Sequence, residues 1–242
     1  MKLLVSRYIN QNKKYIYNLI KEDIKNKKTV YLIVPEQFTL GKNIESFDYL
    51  DFDATINVKV KSFKNIVNEI IDYTGGRALN FISDSSKFII IQIVLLEIKD
   101  ELRMFQKNIY DKSFIDLLVD FITEMSSNNI EIEHLEDIVN DDKLSNDLKL
   151  KLKDIIKIMK RYSELKAKSD FVNEDRVNLA IRNINKMHYF NDVSFYFDKF
   201  NDMSDQELNI IKEIDKISDS TLMNLIVDEN LINKNLSQID DA

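Results

Sequence analysis

The chain has 242 residues, of which 44% are hydrophobic, and it carries a net charge of −7. This length and hydrophobic content suit one large domain or two modest ones with a real core, and the acidic balance argues against a general nucleic-acid coat. The sequence contains no cysteine, which excludes disulfides, a thiol nucleophile and cysteine-ligated zinc or iron–sulfur clusters within it.

The first third of the sequence alternates strand-like and helix-like segments. Strand patterns occur in "KLLVS" (2–6), "TVYLIVP" (29–35) and "ATINVKV" (54–60). The second is a continuous β-branched run, which is typical of a strand buried on both faces. Helical periodicity occupies residues 11–26 and 62–76. Strands separated by helices predict a mostly parallel sheet with right-handed crossovers.

Residues 84–188 differ from the first third, because their patterned segments all have helical periodicity and polar caps. Strand patterns return at 192–200 and 220–229, on either side of a capped helix at 204–214. The helical block is therefore interpreted as an insertion between the early and late strands of one sheet.

These patterns predict an α/β fold, a P-loop-NTPase-like core with a parallel sheet and a large all-helical insertion. The core is assigned to residues 1–82 and 190–230, the insertion to 83–189, and residues 231–242 to a tail of a truncated larger protein. The longest apolar run, which starts at Phe88, is too short to span a bilayer, and no signal peptide precedes the first strand. We expect a cytoplasmic protein without membrane contact.

The turn after the first strand, residues 6–14, lies where P-loop proteins bind phosphate. Such a loop needs glycines whose backbone N–H groups wrap the phosphates, a lysine, and a Ser or Thr hydroxyl for magnesium. Here the turn contains no glycine, and Lys14 follows Lys13 where the hydroxyl would stand. A helix N-terminus still attracts anions, so a plain strand–helix turn and a weak phosphate site both stay open.

The late strand would supply the second half of a nucleotide site. In nucleotide hydrolases a strand-end Asp orients magnesium and an adjacent Glu polarises water. The segment "YFDKF" provides Asp198 and then Lys199, and a lysine cannot serve as the general base beside a magnesium ion. The sequence therefore predicts that ATP hydrolysis is absent.

Two other strand ends carry polar residues that can hold a phosphodiester, namely Gln37 and Thr39 in "VPEQFT" and Ser62 in "VKSFKNI". The neighbouring Phe38 and Phe63 could stack on a base, although an aromatic residue there is more often part of a core. The first 80 residues carry 13 lysines and arginines against 9 acidic residues, whereas the remainder carries 21 against 32. The candidates for DNA contact are therefore Gln37, Phe38, Thr39, Ser62 and Phe63, which all lie in this more basic part. A purely structural role for them is the alternative.

The segments "TVYLIVPEQFTL", "VKVKSFKNIVNEIIDYTGG" and "VSFYFDKFNDMSDQELNIIKEI" together resemble the N-terminal region of the AddB/RexB family. That family supplies the B component of the ATP-dependent helicase–nuclease that processes double-strand breaks in many Gram-positive bacteria. The resemblance implies a superfamily-1-like helicase domain, with a 1A-type α/β core interrupted by a 1B-type helical insertion. It also implies contact with single-stranded DNA and pairing with the motor subunit AddA.

The motifs that carry this resemblance correspond residue by residue. The family's "VPEQFT" corresponds to Val34–Thr39, and its "SF" to Ser62 and Phe63. The Asp of its "DGF" corresponds to Asp198, with Lys199 in place of the glycine. The resemblance therefore covers all five candidates for DNA contact.

The family's other motifs are less complete in this chain. Its "TPQE" corresponds to Ser204–Glu207, but of its glycine-rich "GRAGSGK" loop only Arg7 and Lys13 remain. The resemblance thus assigns Arg7, Lys13 and Asp198 to a degenerate nucleotide site. ATP and magnesium are possible in the family, whereas we expect no cofactor here. The family's C-terminal nuclease domain and its four cluster-binding cysteines are absent from this sequence.

Three hypotheses follow from the sequence. In the first, the chain is a helicase-like domain that tracks DNA and serves as a scaffold in break repair, without ATP turnover of its own. In the second, it is a functioning ATPase that tolerates a glycine-free loop. In the third, it is a pure interaction module that docks a partner. DNA affinity that falls steeply with salt favours the first over the third, and magnesium-dependent ATP binding favours the second.

Overall fold

The structure, a computed structural model, describes residues 1–6, 8, 11–50, 56–140, 144–172 and 175–226. The chain divides into two compact units. The first, which we call the α/β unit, contains the described residues of 1–76, 179–203 and 207–242. The second, the helical unit, contains those of 77–178 and 204–206.

The α/β unit is built on one sheet whose neighbouring strands are all parallel. Its strands are Lys2–Ser6 (β1), Thr29–Ile33 (β2), Val58–Lys61 (β3), Val193–Phe200 (β4) and Ser220–Ile226 (β5), in the order β1-β5-β4-β2-β3. The predicted fold class, a P-loop-NTPase-like α/β core with helical elements, is therefore confirmed. The strand predicted at 54–60 begins at Val58, because residues 56 and 57 form a turn. Residues 54–55, 227–229 and the predicted tail at 231–242 lie outside the described residues.

Nine α-helices lie in the part of the chain that the structure describes. They are Lys13–Lys25 (α1), Thr39–Tyr49 (α2), Phe63–Tyr73 (α3), Asp84–Glu97 (α4), Lys112–Ser127 (α5), Ile132–Val139 (α6), Asn146–Ala167 (α7), Arg176–Asn183 (α8) and Asp205–Ile217 (α9). The side chain of Ser62 caps α3 by accepting the N–H of Asn65, a role for which serine is strongly preferred. Gly75 follows α3 with φ of 81°, a left-handed conformation that glycine adopts without strain.

The core of the α/β unit forms where α1 packs on the central strands. Ile16, Tyr17 and Ile20 lie on one face of α1, and they contact Leu32 of β2 and Tyr196 of β4. Strands β2 and β4 are buried along nearly their whole length, as expected for central strands of a parallel sheet that is covered on both faces. The sheet is thus anchored on the two strands with the most continuous apolar runs.

The helical unit has its own core, in which α4 packs against α5 and α7. Ile91, Leu95, Leu118 and Ile158 are among the buried residues of this cluster. Of the helices that the structure describes, none combines the length and the apolar composition that a bilayer crossing needs.

A buried carboxylate organises the loop between α4 and α5. Asp154 on α7 is 1% exposed, and its Oδ2 accepts the backbone N–H groups of Arg103, Met104 and Phe105 at 2.9, 2.7 and 3.2 Å. Three N–H donors around one ionised oxygen satisfy the buried charge and the loop backbone at the same time. The loop thus takes its shape from a residue about fifty positions further along the chain.

We predict that Asp154→Asn lowers the free energy of unfolding by about 1.5–3 kcal/mol, because hydrogen bonds to a charged acceptor become bonds to a neutral one. Urea unfolding followed by circular dichroism measures the loss. Hydrogen exchange over residues 99–110 should accelerate at the same time. Asp147→Asn, the same change at an exposed position of α7, is the control and should cost less than about 1 kcal/mol. Equal losses in the two variants would contradict this role of Asp154.

Candidate functional site

The carboxyl end of β4 departs from regular pairing. Phe197 pairs with Met223 and Phe200 with Leu225 of β5, so β4 holds one residue more than β5 between these pairs. The irregularity contains Lys199, whose φ is 67°, a left-handed conformation that strains a side chain with a Cβ. This is the position where the AddB/RexB resemblance puts a glycine, and the backbone conformation gives the physical reason for a glycine there.

The bulge directs Asp198 into a buried polar network. Its Oδ2 lies 2.7 Å from Nζ of Lys42, and its Oδ1 accepts Nδ2 of Asn224 at 2.7 Å. Lys42 comes from the middle of α2 and is 1% exposed, and Asp198 is 5% exposed. Both carboxylate oxygens of Asp198 therefore have partners inside the protein, and one of the partners is a full positive charge.

The same network continues into the turn that follows β1. Lys42 Nζ also lies 2.7 Å from Oε1 of Glu45, whose Oε2 lies 3.0 Å from Nζ of Lys13. Asn12 donates its Nδ2 to the backbone oxygen of Val5 at 3.2 Å and to Oδ1 of Asn224 at 3.1 Å. We call Asn12, Lys13, Lys42, Glu45, Asp198 and Asn224 the polar network.

The structure thus brings Lys13 and Asp198, two of the residues assigned to a degenerate nucleotide site, into one network. Lys13 faces Glu45, and its Nζ lies 4.7 Å from the centre of the Tyr49 ring. Arg7, the third residue of that assignment, lies outside the described residues.

Electrostatics in the polar network favours the ionised forms of Lys13 and Glu45. Burial alone raises the pKa of Glu45, but hydrogen bonds from Lys42 and Lys13 outweigh it and hold that pKa below its ordinary value of 4.5. Burial lowers the pKa of Lys13, and its hydrogen bond to Glu45 overcomes this and leaves the pKa raised. Burial also raises the pKa of Tyr17, whose ring centre lies 5.3 Å from Nζ of Lys42.

A separate cleft opens at the same end of the sheet, with a volume of about 470 Å³. Four of the five candidates for DNA contact line it, namely Gln37, Phe38, Ser62 and Phe63. The other lining residues are Pro35, Glu36, Lys64, Lys199, Phe200, Asn201, Asp202 and Glu207. We call this feature the cleft. Its lining combines aromatic rings with side chains of both charges.

The aromatic candidates differ in exposure. Phe63 is 8% exposed, and its ring centre lies 5.9 Å from that of Phe197 and 5.0 Å from that of Phe200. It is therefore part of the core beneath the cleft. Phe38 is half-buried, and Nζ of Lys199 lies 5.0 Å from its ring centre. Phe38 is thus the aromatic candidate with more of its surface accessible.

The polar candidates also have distinct surroundings. Gln37 is exposed. The Thr39 hydroxyl donates to the backbone oxygen of Glu36 at 2.8 Å, and Thr39 is not among the lining residues of the cleft. Ser62 is 3% exposed and caps α3. Of the three polar candidates, Gln37 is the one whose side chain is presented to solvent at the cleft.

Sequence reasoning missed Lys42, Glu45 and Asn224. A lysine in a short helix ordinarily indicates an exposed face, and α2 also carries Leu40 and Ile44, which would be expected to point inward. The available signal was the helical spacing of Lys42, Glu45, Ser46 and Tyr49 on one side of α2. Only their contacts show that this side is the inner one.

The fold is an α/β domain of the P-loop-NTPase-like class, with a helical block between its third and fourth strands in chain order. The family model described as "ADDB, N-terminal" matches residues 4–240. The chain belongs to this family, which confirms the resemblance found in the sequence.

Three curated relatives are each named as the B subunit of an ATP-dependent helicase/deoxyribonuclease. The protein of Clostridioides difficile strain 630 is 32% identical over 222 residues, which cover 89% of this chain and 19% of the relative. Those of Clostridium botulinum strain Langeland and Listeria innocua are each 28% identical, over 82% and 88% of this chain and 17% and 18% of the relative. The chain therefore spans less than a fifth of the length of these relatives.

The lowered pKa of Glu45 predicts loss of stability in acid. Because the folded pKa lies below 4.5, the stabilising contribution is fully present above about pH 4.5 and is lost as the pH falls through the folded value. Urea unfolding between pH 3 and pH 7 should show a shallower acid decline for Glu45→Gln than for the wild type. Glu22→Gln, at an exposed position of α1, is the control and should follow the wild-type profile. An unchanged acid decline in Glu45→Gln would contradict the assigned role of the network.

Proposed function

We propose that this chain is the helicase-like domain of the B component of a helicase–deoxyribonuclease in double-strand break repair. In this proposal it contacts single-stranded DNA through the cleft, pairs with an AddA-type motor subunit and does not hydrolyse ATP itself. The observation that carries the proposal is the meeting of Gln37, Phe38, Ser62 and Phe63 in one cleft together with two lysines. These residues come from separate segments of the sequence, and they were chosen for their chemistry alone. Their proximity in the fold is therefore a second, independent observation.

The chemistry of the cleft suits a single strand. Phe38 presents a ring on which a base can stack, a contact worth about 1–3 kcal/mol. The ammonium of Lys199 lies over this ring. When a base stacks on Phe38, the ammonium can leave the ring and contact a phosphate instead. Lys64, which is exposed and whose Nζ lies 3.7 Å from Oε1 of Glu36, offers a second cation for the backbone. The carboxylates of Glu36 and Asp202 can accept hydrogen bonds from base amino groups, which favours base recognition over a uniform phosphate track.

The polar network supports the absence of ATP hydrolysis. Lys13 is engaged with Glu45, and Asp198 is engaged with Lys42 and Asn224. A working site would need both Lys13 and Asp198 available to a magnesium nucleotide. The alternative of a functioning ATPase would require these contacts to be broken on binding.

The names of the relatives support pairing, because a protein named as one subunit of an enzyme implies at least one other. A surface on α2 suits such a contact. Leu40, Ile44 and Phe47 are 72%, 59% and 59% exposed, and their spacing puts them along one side of the helix. An exposed apolar stripe of this kind is typical of protein–protein contacts, and it is the observation that favours the docking component of the proposal.

Lys199→Gly is the sharpest test of DNA contact. Glycine relieves the positive φ, so the free energy of unfolding should stay constant or rise by up to about 1 kcal/mol. Affinity for a single-stranded oligonucleotide, measured by fluorescence anisotropy at several salt concentrations, should fall, and the slope of log affinity against log salt should shrink by about 0.7.

Lys27→Gly is the matched control for that measurement. Lys27 also has a positive φ, of 62°, and it lies at the C-terminal end of α1, away from the residues that line the cleft. Its variant should show the same stability change and unaltered DNA affinity. Equal DNA affinities for the two glycine variants would contradict DNA contact at the cleft. No DNA binding by the wild type would leave the docking module as the leading hypothesis.

Pairing through α2 predicts that Ile44→Ser weakens binding of the chain to an AddA-type motor subunit roughly tenfold, because an apolar side chain is lost from the contact. Binding is measured by biolayer interferometry with the motor subunit immobilised. Ile130→Ser, at an exposed isoleucine of the helical unit, is the control and should bind like the wild type. Unchanged affinity in Ile44→Ser would exclude this face of α2 from the contact.

A further inference from the structure

We propose that Lys42 is a built-in cation that fills the place of a magnesium ion at the carboxyl end of the sheet. In this proposal the α/β unit keeps its structure without a nucleotide, and the site is permanently closed to one. The inference shares one component with the proposed function, namely that this chain does not hydrolyse ATP. It does not depend on DNA contact at the cleft.

The position of the ammonium group carries the proposal. Nζ of Lys42 lies 2.7 Å from one carboxylate oxygen of Asp198 and 2.7 Å from one of Glu45. A cation between two carboxylates at the end of the central strand is the arrangement that a metal ion would adopt, at the shorter Mg–O distance of about 2.0–2.1 Å. The third side of the ammonium faces the ring of Tyr17, 5.3 Å from its centre.

A magnesium nucleotide does not fit the residues that are present. The metal would have to displace Lys42, which is buried and covalently held on α2. The phosphates would have to draw Lys13 away from Glu45 and Tyr49. At the position of the magnesium-binding hydroxyl the chain has Lys14, a further positive charge. Each of these features opposes the bound state, and the three ion pairs Lys42–Asp198, Lys42–Glu45 and Lys13–Glu45 would be lost together.

The polar network also fills the structural role that a ligand has elsewhere. It joins the turn after β1 through Asn12 and Lys13, α2 through Lys42 and Glu45, and the ends of β4 and β5. In a nucleotide-dependent domain these elements are drawn together when the ligand binds. Here covalently attached side chains hold them together at all times, which suits a scaffold whose shape does not follow the ATP cycle of a partner.

The charge pair should behave as a unit in a double-mutant cycle. Lys42→Met keeps the side-chain length but leaves Asp198 with an uncompensated buried charge, so the melting temperature Tm should fall by about 10 °C. The double variant Lys42→Met with Asp198→Asn removes both charges and should recover at least half of that loss. Lys21→Ala, at an exposed position of α1, is the control and should melt like the wild type.

The proposal would be overturned if the fall in Tm of the double variant equalled the sum of the falls in Lys42→Met and in Asp198→Asn. Such a result would mean that the two charges do not compensate each other. If Lys42→Met alone does not fold, folding of the double variant supports the proposal and its failure to fold overturns it. A calorimetric titration of the wild type with ATP and magnesium should give no binding down to millimolar affinity. Saturable binding of ATP would overturn both the proposal of a built-in cation and the proposed lack of ATP hydrolysis. DNA affinity, measured on the same protein, tests the role of the cleft separately.

Discussion

The ion pair between Lys42 and Asp198 is the contact on which the arrangement of the α/β unit depends. Removing an ammonium and a carboxylate from water costs several kcal/mol per ion, and the attraction between them offsets this only where the remaining hydrogen-bonding capacity is also satisfied. Here Asn224 donates a hydrogen bond to Asp198, and Glu45 accepts one from Lys42. The turn after β1, α2, β4 and β5 all contribute to the polar network, so movement of any of them would break a contact within it.

This requirement explains the unusual orientation of α2. A surface helix ordinarily buries its apolar stripe and exposes its charges. In α2 the buried residues are Lys42 and Ser46, and the apolar residues Leu40, Ile44 and Phe47 are exposed. Burial of one such apolar side chain contributes about 1.5–3 kcal/mol, and this orientation forgoes that contribution. The polar network therefore outweighs the hydrophobic preference of the helix and leaves an apolar surface exposed.

One bulge in β4 separates the polar network from the cleft. Within it, Asp198 joins the polar network on the side of α1 and α2, whereas Phe200 meets Phe63 beneath the cleft. Lys199, between them, takes the left-handed conformation that this change of direction requires, and its ammonium reaches the ring of Phe38. On one side of the bulge the polar network is buried, and on the other side the cleft is open at the same end of the sheet.

The sequence by itself determined the kind of fold and the family of this protein. The continuous apolar run at 29–35 and the helical periodicity at 62–76 are local patterns, and such patterns predict a buried strand and an amphipathic helix directly. The missing glycines after β1 and the Lys199 that follows Asp198 could likewise be interpreted without coordinates. The motifs around Val34–Thr39, Ser62 and Asp198 together indicated the family.

Only the tertiary structure decided which residues contact Asp198 and which candidates for DNA contact are accessible. The partner of Asp198 is a lysine 156 positions earlier in the chain, on a helix whose pattern indicates the opposite face. Phe63 is buried against Phe200 and Phe38 is half-buried beside Lys199, and both of these partners belong to the irregular end of β4. Long-range charge pairing and strand register are set by the whole sheet, and for that reason no local pattern could reveal them.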